Sequence, residues 1–92
     1  MDKEKITSEI KKLLGWQLQE NHHLYKQFKF PDFKSALRFV NQIAEVAEEL
    51  NHHPNISFTW GKVEIAIWTH TVNTVSGKDF ELARKIDGIG HG

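Results

Sequence analysis

The sequence predicts an α+β fold in which a four-stranded antiparallel sheet carries three helices packed on one face. Three stretches place apolar residues at the three- and four-residue spacing of an amphipathic helix. Four shorter stretches alternate apolar and polar residues as strands do, in two pairs joined by short turns. Consecutive hairpins favour antiparallel pairing, and amphipathic helices suit a sheet covered on one side. We therefore expect the order α-β-β-α-β-β-α, in a single domain spanning residues 1–92.

The first helix and the first hairpin open the chain. The helix is predicted from Lys3 to Leu14, where apolar residues at helical spacing alternate with lysines and glutamates. Gly15 stands where a left-handed residue would end that helix. The first strand pair then covers Trp16 to Glu20 and Leu24 to Phe30. Asn21-His22-His23 is predicted to be the turn between them, because asparagine tolerates left-handed backbone.

The second helix is the strongest periodic pattern in the sequence. Asp32 is its expected N-cap, because a carboxylate there accepts backbone N–H groups. Pro54 cannot continue a helix and biases His53 away from helical backbone, so the helix should end near Asn51. Two adjacent histidines should therefore lie where the helix ends. The predicted apolar stripe comprises Phe33, Ala36, Leu37, Val40, Ile43, Ala44, Ala47 and Leu50.

The second hairpin and the last helix complete the chain. The strands are predicted from Asn55 to Trp60 and from Val63 to Thr69, with a tight turn at Gly61-Lys62. Ser76 and Asp79 have the spacing of a capping box, which predicts that the third helix begins there. Beyond that helix a frayed tail is expected, marked by Gly88, Gly90 and Gly92.

Composition narrows the class of protein. A formal net charge of zero disfavours a general nucleic-acid binder and a polybasic membrane surface. The absence of cysteine excludes disulfides and thiolate metal sites. The apolar runs are far shorter than a membrane span, and the first residues lack the apolar core of a signal peptide. We expect a soluble cytoplasmic protein, which at this size would gain stability from association with further copies.

Three of the six histidines lie between Glu48 and Asp79, and this stretch is the candidate active site. His52 and His53 leave the second helix, and His70 arrives at the end of the fourth predicted strand. Glu48 lies one helical turn before His52, where a carboxylate could fix the tautomer of its ring. Histidine is the side chain best suited to proton transfer near neutral pH, so the stretch predicts acid–base chemistry.

The spacing of the candidate residues forms a pattern. Glu48 is followed after three residues by His52-His53-Pro54, after five more by Trp60, after nine by His70 and after eight by Asp79. This set resembles the signature of the pterin-4a-carbinolamine dehydratases. The resemblance extends outward through Gly15-Trp16, Tyr25-Lys26-Gln27-Phe28-Lys29-Phe30 and Asp32-Phe33.

The resemblance implies a specific function. Such proteins eliminate water from 4a-hydroxytetrahydropterin, the product left by aromatic amino acid hydroxylases, to give quinonoid dihydropterin for recycling. The resemblance also implies the sheet and three helices described above, no metal or organic cofactor, and a homodimer or homotetramer. It implies a small pterin as partner, with no direct contact to nucleic acid or membrane. Some animal members bind a transcription factor as a dimerisation cofactor, so an oligomeric protein-interaction module is the alternative function.

The chemistry of this dehydration suggests individual roles for the site residues, as hypotheses. Loss of the 4a-hydroxyl is easier when an acid protonates it, and a base must remove the proton from N5. His52 and His70 are the acid–base candidates, while His53 holds and polarises the pterin as the third catalytic histidine. Glu48 is expected to orient a histidine. The remaining substrate-binding or orienting residues are Pro54, Trp60 and Asp79.

Structural alternatives stay open at several of these positions. Asp79 could serve only as a helix cap, and His53 could likewise have a capping role. Trp60 alternates with Ile56 and Phe58 and could belong to the core. A zinc site is a third functional hypothesis, because three histidines can hold zinc, although adjacent histidines rarely converge on one ion. The histidines interpreted as solvated, without supporting neighbours, are His22, His23 and His91.

Overall fold

The computed structural model describes residues 1–89, so the part of the predicted tail from Gly90 to Gly92, including His91, lies outside the described residues. Within residues 1–89, three helices and four strands follow the predicted order, which confirms the fold class. The elements are α1 (Lys3–Ile10), β1 (Gln17–Gln19), β2 (His23–Lys29), α2 (Phe33–Leu50), β3 (Asn55–Thr59), β4 (Lys62–Ile67) and α3 (Gly77–Asp87).

The strands form one antiparallel sheet in the order β1-β2-β4-β3. Its register pairs Leu24 of β2 with Ile67 of β4, and Ile56 of β3 with Ile65 of β4. Alternate residues of β4 are buried, because one face of the sheet packs against the helices. The main hydrophobic core therefore lies between this face and apolar side chains such as Phe39 of α2 and Phe80 of α3.

Helix α1 is shorter than predicted. It ends at Ile10, and the chain continues through tighter turns, in which Leu13 N–H donates to Ile10 O and Trp16 N–H donates to Leu13 O. Leu13 and Trp16 of this segment are both buried in the core. Gly15 has the predicted left-handed backbone, with φ of 86°, but it follows these turns rather than the helix itself.

The first hairpin turn lies one residue earlier than predicted. Glu20 and Asn21 both have left-handed backbone, with φ of 55° and 52°, and the turn ends before His23. His23 is the first residue of β2 and pairs with Gln19 of β1. The expectation of left-handed backbone at Asn21 is confirmed, whereas the assignment of His23 to the turn is wrong.

Helix α2 has the predicted ends but a narrower buried face than expected. Asp32 caps its start by accepting the Ser35 N–H at 2.7 Å, and this hydrogen bond lowers the pKa of the Asp32 carboxyl. Phe33 and Leu37 are 52% and 38% exposed, while Phe39, absent from the predicted stripe, is buried. Phe39 faces the sheet, where its ring lies 4.8 Å from the ring of Phe28 in β2. The buried face consists of Ala36, Phe39, Ile43 and Ala47.

The second hairpin also turns one residue earlier than predicted. β3 ends at Thr59, Trp60 and Gly61 form the turn, and β4 begins at Lys62 and ends at Ile67. Trp60 is 67% exposed, so its interpretation as a core residue is wrong. Beyond β4, Thr69 forms an isolated bridge with Thr74. None of the helices in residues 1–89 is long and apolar enough to cross a membrane.

Candidate active site

The C-terminus of α2 sets the position of the histidine pair. Asn51 adopts left-handed backbone, with φ of 51° and ψ of 42°, and its N–H donates to Glu48 O. The His52 N–H then reaches back to Ala47 O at 3.0 Å. These two hydrogen bonds form a Schellman motif, which reverses the chain direction at the end of a helix. The motif turns His52 away from the helix and leads the chain toward β3.

The N-terminus of α3 supplies the partner of His52. Ser76 and Asp79 form the predicted capping box, in which the Asp79 carboxylate accepts the Ser76 N–H at 2.7 Å. The same carboxylate accepts the Thr69 hydroxyl at 2.7 Å and lies 2.5 Å from His52 Nε2. Asp79 is fully buried. Its hydrogen bonds make it both the cap of α3 and the carboxylate that orients the His52 ring.

The Asp79 contact also defines the tautomer of His52. A carboxylate accepts hydrogen bonds, so His52 presents an N–H at Nε2. The neutral ring then keeps its lone pair on Nδ1, which is the nitrogen free to exchange a proton. A buried carboxylate that orients an imidazole also occurs in the Ser-His-Asp triad, where the imidazole acts as a general acid and base.

Glu48 pairs with His53 rather than with His52. His53 Nε2 lies 2.5 Å from Glu48 Oε2, and both side chains are largely exposed. The expectation that Glu48 would fix the ring of His52 is therefore wrong. The two residues do not meet because Asn51, between them, has left-handed backbone and breaks the helical periodicity on which that expectation depended. Glu48 is nevertheless bonded to a histidine of the candidate set.

A cleft of about 340 Å³ brings the three predicted catalytic histidines together. His52 and His53 enter it from the end of α2, and His70 enters it from the segment after β4. Lys78, in the first turn of α3, adds a cation that the sequence interpretation did not include, although its position beside Asp79 could have suggested it. The cleft is lined by Asn51, His52, His53, Thr69, His70, Thr71 and Lys78.

Two other predicted site residues lie elsewhere. Trp60 stands in the β3–β4 turn and lines a separate cleft with Lys29 and Phe30. It is at the far end of β3 from the histidine pair, so within one chain the fold does not bring it to the histidines. Pro54 lies directly before β3 and is half-buried, but it does not line the histidine cleft.

The zinc hypothesis finds no support in the geometry. Within residues 1–89, no group of three or more histidine, cysteine, aspartate or glutamate side chains is placed to hold a metal ion. The contacts of the adjacent pair are instead with carboxylates, His52 with Asp79 and His53 with Glu48.

His22 and His23 are not the isolated, solvated residues that the sequence suggested. Both are half-buried, and both rings pack against Trp68, with centroids 5.0 and 5.9 Å from the indole. Trp68 in turn stacks on His70, at 4.8 Å and an interplanar angle of 27°. Alternation along the fourth strand could have revealed part of this cluster, because Trp68 falls on the face opposite to Ile65 and Ile67.

Comparisons with known proteins identify the family. The chain matches the family model described as pterin 4 alpha carbinolamine dehydratase over residues 1–89. It is 43% identical over 86 residues to a protein of Rubrobacter xylanophilus, covering 94% of this chain and 80% of that protein. It is 49% identical over 84 residues to a protein of Rickettsia canadensis, covering 86% of this chain and 77% of that protein. Both relatives carry the family's name.

Two solved structures are also similar to this chain. A crystal structure from Brucella melitensis, described as a transcriptional coactivator/pterin dehydratase, matches with a TM-score of 0.90 and 31% identity, covering 96% of this chain and 95% of that chain. A pterin dehydratase-like protein, described as a RuBisCO assembly factor in the alpha-carboxysome, matches with a TM-score of 0.65 and 26% identity, covering 79% and 83%. The chain therefore belongs to the pterin-4a-carbinolamine dehydratases, a family of hydro-lyases.

Proposed function

We propose that the chain dehydrates 4a-hydroxytetrahydropterin by histidine acid–base catalysis, as a step in tetrahydropterin recycling after aromatic amino acid hydroxylation. The observation that carries the proposal is the pairing of His52 with buried Asp79 at the wall of a cleft that His70 also lines. This supports a site in which one oriented imidazole and one accessible imidazole face the same substrate. No metal or organic cofactor enters the proposed reaction.

The proposed reaction requires two proton transfers. A general acid protonates the 4a-hydroxyl as the C4a–O bond breaks, and water leaves. A general base removes the proton from N5, whose electrons form the new double bond to C4a. The products are quinonoid dihydropterin and water, so atoms and charge balance. We assign these two roles to His52 and His70 as a pair, because both line the cleft and His52 is held by a carboxylate.

His53 and Glu48 have a supporting role in this proposal. Their contact lies at the exposed side of the cleft, where it can hold the His53 ring against a bound pterin and polarise that pterin. Pro54 directs the chain from this pair into β3. Trp60 lies too far along β3 to contact the same substrate molecule within one chain, so any role in binding requires a second copy.

The test is turnover of synthetic 4a-hydroxytetrahydropterin, followed by ultraviolet absorbance without added metal. We expect His52→Ala and His70→Ala each to lower kcat by roughly 10²–10⁴, the usual contribution of a general acid or base. His91→Ala serves as a matched control that removes a histidine outside the candidate set. A double variant His52→Ala/His70→Ala with full turnover would contradict the assignment.

A second candidate function is protein interaction through an oligomeric scaffold. It is favoured by the exposed apolar residues Phe33 and Leu37 of α2, and by the description of the similar Brucella melitensis protein as a transcriptional coactivator. We propose that copies of the chain associate as a homodimer or homotetramer. The two functions are compatible, because the apolar residues of α2 do not line the histidine cleft.

A further inference from the structure

A brace joins the β1–β2 turn to the segment that carries His70. That segment runs from Thr69 to Thr74, which form a backbone bridge in which Thr69 N–H donates to Thr74 O at 2.9 Å. The turn bonds this segment twice. The Thr74 hydroxyl donates to Asn21 O at 3.2 Å, and His22 Nε2 lies 3.1 Å from Asn73 Oδ1.

The hydrogen bond from His22 to Asn73 has a defined direction. The Asn73 amide oxygen accepts, so His22 donates from Nε2. His23 Nδ1 lies 3.2 Å from His22 Nδ1. Asn73 and His70 lie in the same loop, and the Asn73 N–H donates to His70 O at 3.2 Å. His22 therefore holds the far end of the His70 loop.

Trp68 is the third residue of the brace. Its indole contacts both His22, with centroids 5.0 Å apart, and His70, with centroids 4.8 Å apart. The His70 ring lies only 27° from the plane of the indole, as in an offset stack. His70 is otherwise exposed, so this stack defines one face of its ring. Trp68 and His22 do not line the cleft, so they act on the site only through His70 and its loop.

We propose that His22 and Trp68 are positioning residues that hold the His70 ring in its orientation toward the cleft. The catalytic consequence rests on the proposed function, in which His70 transfers a proton. Placement of a reacting group is demanding, because an error of about 1 Å can lower a rate by roughly a hundredfold. The contacts themselves can be tested without turnover.

The test uses four variants of the full chain. Trp68→Ala removes the stack, Trp68→Phe keeps an aromatic face, and His22→Ala removes the hydrogen bond to Asn73. Val72→Ala is the matched control, because Val72 lies in the same exposed loop and does not line the cleft. We expect kcat to fall roughly ten- to a hundredfold in the two alanine variants of the brace, with little change in KM. Trp68→Phe should recover most of the loss, and Val72→Ala should match the wild type.

A spectroscopic measurement separates this proposal from the proposed function. The indole ring current should shift the His70 ring protons upfield in the proton NMR spectrum of the wild type. The shift should vanish in Trp68→Ala and decrease in His22→Ala. If the wild type shows no dehydration, the proposed function fails while the NMR result still decides the positioning. If Trp68→Ala does not fold, the His70 proton shifts of His22→Ala and Trp68→Phe test whether the ring is positioned by the brace.

A double-mutant comparison distinguishes positioning from general stability. In a His70→Ala background, His22→Ala should cause no further loss of turnover, because the ring to be positioned is absent. Additive losses would show that His22 acts independently of His70 and would overturn the proposal. An unchanged His70 spectrum in folded Trp68→Ala would overturn it as well.

Discussion

At the scale of single residues, Asp79 joins the start of α3 to the candidate site. Its two carboxylate oxygens accept hydrogen bonds from the Ser76 backbone, the Thr69 hydroxyl and the His52 ring. The carboxylate is fully buried, so each of these donors depends on it rather than on water. A change at this residue must therefore affect both folding and the orientation of His52.

Substitution of Asp79 should separate these two effects. We expect Asp79→Ala to lower the free energy of unfolding by about 3–5 kcal/mol, because it leaves buried donors without an acceptor. Asp79→Asn keeps an acceptor oxygen and should cost less stability, but kcat should fall at least tenfold because an amide does not stabilise an imidazolium as a carboxylate does. Urea denaturation and turnover assays measure the two quantities.

Ser76→Ala provides the control for Asp79. It removes the other side chain of the capping box and leaves the Asp79–His52 contact in place. Its stability should fall by about 1 kcal/mol, as for a lost N-cap, with kcat close to the wild-type value. Wild-type kcat in Asp79→Asn would contradict a role for the Asp79 charge in stabilising the His52 imidazolium.

A second residue pair lies on the face of the sheet away from the helices. The Tyr25 hydroxyl donates to Glu64 Oε2, which raises the pKa of Tyr25 above its ordinary value and lowers the pKa of Glu64. These two shifts determine how the stability contributed by the pair depends on pH. The contribution is lost as the pH falls through the lowered pKa of Glu64, and it is lost again as the pH rises through the raised pKa of Tyr25. The pair therefore contributes only between these two titrations.

The Tyr25 titration can be followed directly, because Tyr25 is the chain's single tyrosine. Phenolate absorbance should give a pKa above the ordinary value of about 10, and Glu64→Gln should bring it down toward that value. Tyr25→Phe is the blank that identifies the signal. An identical midpoint in the wild type and Glu64→Gln would show that the hydrogen bond does not act on the phenol.

At the scale of elements, the end of α2 delivers the histidine pair through one left-handed residue. Asn51 is tolerated there because asparagine adopts left-handed backbone more readily than most residues. Pro54 follows shortly and prevents the helix from continuing. The position of His52 relative to α3 therefore depends on the conformation of Asn51.

Replacement of Asn51 should report the strain of this conformation. We expect Asn51→Ala to lower stability by about 1 kcal/mol and the melting temperature by about 4–8 °C, whereas Asn51→Gly should be close to neutral. Asn41→Ala, at an exposed helical position of α2, is the control and should not destabilise. Calorimetry measures the difference. A melting temperature of Asn51→Ala equal to the wild type would contradict the expected strain.

At the scale of the whole molecule, an apolar surface runs from α2 onto β3. The rings of Phe33 and Phe58 stack with centroids 5.4 Å apart, and Leu37 lies one helical turn from Phe33. Within residues 1–89, β3 pairs only with β4, so its other edge has no neighbouring strand. β3 also carries no charged side chain, which is unusual for an exposed edge. These features support the proposed association of copies of the chain.

Leu37→Glu should weaken that association. A buried glutamate at the centre of an apolar interface is costly, so we expect sedimentation velocity to show a shift from dimer or tetramer to monomer. Arg38→Glu places the same charge on a neighbouring exposed position of α2 and should leave the assembly intact. A monomeric wild type at micromolar concentration would refute the oligomeric prediction, and unchanged sedimentation of Leu37→Glu would place the interface elsewhere.

The sequence by itself determined the order of elements, both ends of α2, the start of α3 and the family. Caps such as Asp32 and the pair Ser76–Asp79 act over three residues, so the chain's local pattern specifies them. The spacing from Glu48 to Asp79 is likewise a property of the chain alone, and it was sufficient to predict the family. The single-domain organisation and the cytoplasmic location stay predictions.

Only the tertiary structure decided which side chains meet. Asp79 pairs with His52 across 27 positions, and His22 pairs with Asn73 across 51 positions. Such contacts depend on sheet register and on how α2 and α3 pack, which local periodicity does not specify. For the same reason the sequence predicted a buried stripe that omitted Phe39 and a Glu48–His52 pairing that does not form. The rotation of a helix and the direction of its exit are settled by long-range packing, because neighbouring helix faces differ by only a fraction of a turn.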